Sequence, residues 1–225
     1  MIKSDTAIVI GSGPSLHFAD LELIKQCTSI AVNSSILKVP FADYYFTCDF
    51  GMTVWHSWEI LKDLSCKIVL YNVDVGFRYL ERLTKEDTFR GISDKRVKYF
   101  SMHGNGYVLR RWTHSLIRGS TSTQVAVNYA YALGFTKIVL VGCDNQYVDG
   151  KYHYYDFPGE IKDDYRKEEY KSFKKTYNDY QKFLQGHYVC WKKIAEANLK
   201  VKIIDSSNGG LDMFPQMSLK DAINA

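Results

Sequence analysis

Ala7-Ile8-Val9-Ile10-Gly11-Ser12-Gly13-Pro14-Ser15-Leu16 is the stretch that decides the fold class of this chain. An unbroken apolar run of this length reads as a strand covered on both faces, the hallmark of a parallel sheet. It stops at a Gly-x-Gly turn, where backbone without side chains lets an anion come close. Free N–H groups of such a turn, and of the helix start after it, can hold a phosphate. Gly11, Ser12, Gly13, Pro14 and Ser15 are therefore the first candidates for nucleotide binding.

Working outward, short β-branched runs alternate with helical stretches, the pattern of an α/β protein. Strands are expected at Ala7–Ile10, Ser29–Asn33, Tyr44–Asp49, Lys67–Tyr71, Val97–Ser101, Lys137–Gly142 and Val201–Asp205. Helices are expected near Asp20–Gln26, Thr53–Leu64, Ser120–Leu133 and Tyr165–Asn198, the last with a break at Gly186. The expected architecture is a Rossmann-like, mostly parallel sheet with helices on both faces, formed by residues 1–225 as a single domain. Of the sixteen residues Glu160–Lys175, eleven are charged with both signs mixed, which describes a solvated helix face. That helix follows the loop at the carboxyl end of the Lys137–Gly142 strand, so the 151–186 region reads as a helical, lid-like insertion over a site.

Composition narrows the function. The chain has 225 residues, 46% hydrophobic and 24% charged, enough for a sizeable core. A net charge of +4 suits an anionic ligand, but basic residues are too dispersed for a nucleic-acid surface. Five cysteines without a Cys-x-x-Cys pair read as reduced thiols, and no signal peptide or 18-residue apolar run is evident. The expectation is a cytoplasmic protein without a transmembrane segment.

The usual cofactor motifs fit poorly. Leu16 stands where a dinucleotide fingerprint has its third glycine, and Asn33 rather than an acid ends the second strand. No Gly-Lys-Ser/Thr follows, which sets aside a Walker-type loop. Asn33 and Asp49 end neighbouring strands, where an amide can read a base or sugar edge and a carboxylate can take a ribose hydroxyl. Thr121 and Ser122 open the Ser120–Leu133 helix, a place that suits a carboxylate or phosphate as readily as an ordinary cap. Asp144 follows the Lys137–Gly142 strand. Tyr147 and Tyr152 lie in the loop beyond it, where phenolic hydroxyls can donate to a leaving phosphate. His187, beside Gly186, is the candidate general base for a sugar hydroxyl. No clustered Cys/His set, His-Glu-x-x-His or Asp-x-Asp motif points to a metal.

In order and spacing, Ile10-Gly11-Ser12-Gly13-Pro14-Ser15-Leu16, Val32-Asn33 and the run from Thr121-Ser122 to Gly142-Cys143-Asp144 resemble two linked groups. One is the bacterial sialyltransferases of glycosyltransferase family 42. The other includes archaeal 6-hydroxymethylpterin diphosphokinase and the flagellin-modifying motility accessory factors. The first resemblance implies metal-independent, inverting transfer from a CMP-linked nonulosonic acid. In it Gly11, Gly13, Pro14, Ser15 and Asn33 match the nucleotide-binding residues, and Thr121 and Ser122 lie near the donor carboxylate. Tyr152 matches a phosphate-contacting tyrosine, Tyr147 falls one residue from a second, and His187 matches the general base. Asp49 stands where those enzymes have a second asparagine. The acid ending the Tyr44–Asp49 strand looks more like the diphosphokinase group, which implies ATP with Mg²⁺ near Asp49 and Asp144. The expected protein is thus a transferase with no tightly bound cofactor. It would use a nucleotide sugar, act on a glycan or small-molecule acceptor, and be open to homo-oligomer formation. A non-catalytic nucleotide-binding module is the third reading.

Overall fold

The computed structural model describes residues 4–48, 60–71, 94–103, 106–160, 177–207 and 209–225. Eight strands form one parallel sheet in the order β6-β5-β4-β3-β2-β1-β7-β8. These are β1 (Thr6–Ile10), β2 (Thr28–Val32), β3 (Tyr44–Thr47), β4 (Lys67–Tyr71), β5 (Val97–Met102), β6 (Ser115–Leu116), β7 (Lys137–Val141) and β8 (Lys202–Asp205). The expected α/β, Rossmann-like class is what the structure shows. Every residue of β1 and β2 is buried, as strands covered on both faces must be.

Period-two alternation divides the core into two layers. Ala7 and Val9 of β1 pack with Val125, Ala126, Trp191 and Ile194 on one face. Ile8 and Ile10 pack with Ile24, Ile36, Tyr154 and Ala222 on the other. The first face is covered by α3 (Ser122–Ala132) and α4 (Tyr177–Ala197); the second by α1 (Leu21–Ile24), α2 (Ser35–Lys38) and α5 (Leu219–Asn224). Helices on both faces follow from this division.

From β1 the chain moves outward strand by strand to β6, then returns through α3 to place β7 on the other flank of β1. The direction of winding reverses between β1 and β7. Open α/β sheets bind ligands at the carboxyl ends of the strands near such a reversal.

One expectation needs correction. The helix expected to break at Gly186 runs without interruption from Tyr177 to Ala197. Gly186 is exposed, and a Cβ added there would meet nothing within 4 Å, while Leu184, His187, Trp191 and Ile194 form a buried stripe that holds the helix down. Residues 151–160, the first part of the expected insertion, leave a tight Val148–Lys151 hairpin and pass through a 3-10 turn at Tyr154–Asp156. Residues 161–176, the rest of that expected lid before α4, lie outside the described residues. Most of the expected Thr53–Leu64 helix also lies outside them, as does Asp49.

Candidate functional site

Four segments meet at the carboxyl rim of the sheet: the β1 turn, the Asn33–Ser35 turn, the start of α3 and the loop after β7. The β1 turn is tied to the β7 loop. Gly11 N donates to Val141 O and Gly13 N to Gly142 O, each at 2.8 Å. Ser15 donates to Asp144 Oδ2 twice, from its amide at 3.1 Å and its hydroxyl at 3.0 Å. The expectation of bare amides for an anion is therefore overturned for Gly11, Gly13 and Ser15, whose N–H groups are committed to protein oxygens. The glycines permit the approach of one loop to the other. A Cβ on Gly11 would lie 2.3 Å from Gly142 O, and one on Gly13 would lie 2.2 Å from Asp144 Oδ2. Pro14 and Ser15 are buried at the start of the Pro14–Phe18 3-10 turn.

Asp144 is buried beneath this turn. Desolvation pushes its carboxyl above the ordinary value, and the two Ser15 donors pull it back by favouring the anion. Asp205, at the end of β8, is also buried and its carboxyl is pushed up to about 6, chiefly by desolvation. Between them Cys143 donates its amide to Ser207 Oγ at 2.9 Å, and burial raises its thiol well above the usual range. Asp144 Oδ1 and Asp205 Oδ2 each lack a hydrogen-bond partner among the described residues. No group of three or more His, Cys, Asp or Glu side chains gathers to hold a metal among the described residues.

Asn33 sits just past β2 in the left-handed region, at φ 55°, where asparagine is tolerated better than most residues. Its amide donates to Phe46 O, fastening the β2 turn to β3. Ser12 belongs to a hydroxyl chain: Ser34 Oγ donates to Ser12 Oγ at 3.0 Å, and Ser12 Oγ donates to Val32 O at 3.3 Å. These contacts place Ser12 and Asn33 side by side at the rim.

Thr121 is the N-cap of α3. Its hydroxyl accepts from Gln124 N, while Gln124 Oε1 accepts from the amides of Ser120 and Thr121. Ser122 Oγ accepts from Cys48 N at 3.0 Å, joining the helix start to the end of β3. The same Gln124 donates through Nε2 to the carbonyl of His187 at 3.0 Å, and Asn145 Nδ2 donates to the carbonyl of Leu184 at 3.2 Å. These two side chains bring α4, and His187 with it, to the rim that carries the β1 turn. His187 is buried, its ring in edge contact with Phe183 at 3.9 Å.

Past Asn145, Val148 and Lys151 pair across Asp149-Gly150, both with positive φ, the geometry of a two-residue hairpin turn. The hairpin brings the rings of Tyr147 and Tyr152 within 5.4 Å of each other. Tyr154 pins it down, donating its amide to Ser12 O at 3.0 Å and its hydroxyl to Ser34 O at 2.9 Å. Tyr155 is equally buried and packs the segment. Glu160 fastens the far end, its Oε1 lying 2.5 Å from both His17 Nδ1 and Lys38 Nζ.

The structure therefore brings together Ser12, Asn33, Thr121, Ser122, Asp144, Tyr147, Tyr152 and His187, in segments joined by named hydrogen bonds. Sequence reading passed over Ser34, Gln124, Asn145 and His153. Ser34 shows itself only through partners distant in the chain, whereas Thr121-x-x-Gln124 carries the local spacing of a capping box. Only Asp149-Gly150, a hairpin dipeptide, announced the geometry around His153.

A family model described as 6-hydroxymethylpterin diphosphokinase MptE-like matches residues 1–150. The chain belongs to the MptE-like family. Neither the curated proteins nor the solved structures contain a match. The MptE-like match takes in β1 through β7, the glycine turn and Asp144, and it stops at the hairpin turn before Tyr152 and His187.

Proposed function

We propose that the protein is a nucleotide-dependent transferase that moves an activated group from a bound nucleotide to an acceptor hydroxyl. Membership of the MptE-like family supports the transferase class. The observation that carries the reading is the attachment of α4 and the β7 hairpin to the β1-turn rim, through Gln124, Asn145 and Tyr154. In this reading a base, two phenols and the turn residues act on one bound nucleotide.

In the glycosyl-transfer form of this reading, Asn33 and Ser12 contact the nucleotide and Thr121 and Ser122 face the donor carboxylate. His187 takes the proton from the acceptor hydroxyl, whose oxygen attacks the anomeric carbon of a CMP-linked sugar. The bond from that carbon to the phosphate oxygen breaks, and the nucleotide phosphate leaves with the electron pair. Tyr147 and Tyr152 donate to the charge it gains. The second form, diphosphate transfer from ATP to a hydroxymethyl group, is favoured by the family description. Mg²⁺ would there neutralise the phosphates near Asp144, whose buried Oδ1 has no hydrogen-bond partner among the described residues.

Thermal-shift titration separates the forms, because a ligand that binds only the folded state raises its stability. Stabilisation by CMP without metal supports glycosyl transfer; stabilisation by ATP only with Mg²⁺ supports diphosphate transfer. No shift with either sinks the nucleotide reading. In the glycosyl form, His187→Ala leaves CMP binding intact and lowers turnover by roughly 10²–10⁴-fold.

A further inference from the structure

Near the C-terminal ends of α3 and α4 lies a corner that the proposed transfer does not use. The loop of residues 106–114, between β5 and β6, is braced there by two asparagines. Asn198, the residue after α4, donates through Nδ2 to Tyr107 O and accepts through Oδ1 from Leu109 N, each at 2.8 Å. It thus grips the backbone on both sides of Val108. Asn128 of α3 donates to Arg110 O at 2.7 Å. Two cations lie over rings at the same place: Lys193 Nζ is 5.1 Å from the Tyr107 ring, and the Arg111 guanidinium is 4.2 Å from the Tyr131 ring. On this braced loop Val108 and Trp112 are each 62% exposed, and Leu199, next to Asn198, is 88% exposed. Large apolar side chains scattered singly over a surface are ordinary; three held out at one fixed corner mark a surface that something covers.

The charge at this corner is one-sided. From Lys95 to Cys143 the sequence holds seven Lys and Arg residues and not one Asp or Glu. To Arg111 of that run the fold adds Lys192, Lys193 and Lys200 from the end of α4, all exposed, against the single acid Glu196. Among the described residues none of these four cations is in an ion pair. A second copy of the chain set face to face here would meet its own charges and be repelled. A nucleic acid would satisfy the cations but leave the aliphatic tips of Val108 and Leu199 without a partner. An anionic bilayer satisfies both kinds of group: its headgroups attract Lys and Arg, and its interfacial layer takes aliphatic side chains and the half-polar indole of tryptophan. We propose that this corner docks the protein on an anionic lipid surface, with Val108, Trp112 and Leu199 entering the boundary between headgroups and acyl chains while Arg111, Lys193 and Lys200 meet the lipid phosphates. The docking surface is separate from the rim, since His187 precedes the last residue of α4, Ala197, by roughly 15 Å of helix. It does not depend on the transferase reading.

The test is co-sedimentation of the full chain with vesicles of phosphatidylcholine alone and of phosphatidylcholine mixed with phosphatidylglycerol. Binding is expected to the mixed vesicles, to weaken as sodium chloride is raised, and to be absent from the neutral ones. Lys200→Ala should weaken it roughly fivefold, the attraction of one cation. Trp112→Ala should weaken it roughly tenfold or more, the loss of one buried apolar side chain. Both positions are exposed, so both variants are expected to fold. Lys220→Ala, at an exposed position of α5 on the opposite face of the sheet, should bind as the wild type does. No binding to the mixed vesicles overturns the proposal, whether or not duplex DNA sediments the protein in their place. Vesicle binding that Trp112→Ala leaves unchanged also overturns it, since cations alone would then account for the attraction. So does an equal loss in Lys220→Ala, which would reduce the effect to net charge. Should Trp112→Ala not fold, Leu199→Ser, at the most exposed of the three apolar positions, is read in the same way.

Discussion

At the residue scale, the glycine turn works by steric permission. Its run of β1 residues and two glycines was legible in the sequence as a strand entering a tight turn. Its partners were not, because Gly142 and Asp144 lie far along the chain; Ser15 and Asp144 are separated by 129 positions. Amides that look free in a local reading are in fact satisfied from across the switch point, since a buried N–H without a partner costs too much to persist. Gly13 has φ −67°, which alanine adopts freely, so any penalty for Gly13→Ala is purely one of contact. The new Cβ would meet Asp144 Oδ2 at 2.2 Å and Gly142 O at 2.8 Å. Gly13→Ala is expected to destabilise the protein by about 1–3 kcal/mol, the usual cost of overpacking, measured by urea unfolding. A variant as stable as the wild type would mean that the two loops do not interlock.

At the element scale, strands with long apolar runs were read to within a residue or two. β4 is Lys67–Tyr71 as expected, and β7 ends one residue early, at Val141, because Gly142 turns away at φ 65°. β6 escaped notice because two residues, Ser115 and Leu116, carry no periodic signal. The break expected at Gly186 came from treating glycine as punctuation. In α4 the buried stripe on the opposite side of the helix overrides the weak local propensity, as tertiary packing often does. His187 therefore faces inward through helical periodicity. Gly186→Ala is expected to stabilise the chain by roughly 0.5–1 kcal/mol, since the position is helical and open. A loss of stability in thermal unfolding would point to a kink that the glycine permits.

At the scale of the whole molecule, two titratable groups set opposing pH slopes. Asp205 binds its proton more tightly folded than unfolded, with its carboxyl raised from 3.8 to about 6. Its stabilising contribution is complete below 3.8 and is lost as pH rises through about 6. His153 does the reverse: lowered from 6.5 to about 4, it contributes above 6.5, and that contribution is lost as pH falls toward about 4. Between about 4 and 6 the two effects oppose each other, which flattens the acid limb of the stability curve. Asp205→Asn removes one of them. Its stability, followed by denaturant midpoint, should therefore fall more steeply than that of the wild type as pH drops from 6 to 4. An unchanged slope would mean that Asp205 is not buried as a neutral acid. The α/β class and the rim proposed to carry the site were legible in the sequence because strand runs and glycine turns are local signals. The ties that gather α3, α4 and the hairpin at that rim depend on single side chains such as Gln124, Asn145 and Tyr154, which meet partners remote in sequence. The most direct measurement is a crystal structure of the full chain with CMP, or with a non-hydrolysable ATP analogue and Mg²⁺. The nucleotide is expected at the carboxyl rim beside Ser12 and Asn33, with its phosphate turned toward Tyr147, Tyr152 and the start of α3. A nucleotide bound at the amino edge of the sheet, or with its phosphate facing away from the hairpin, would contradict it.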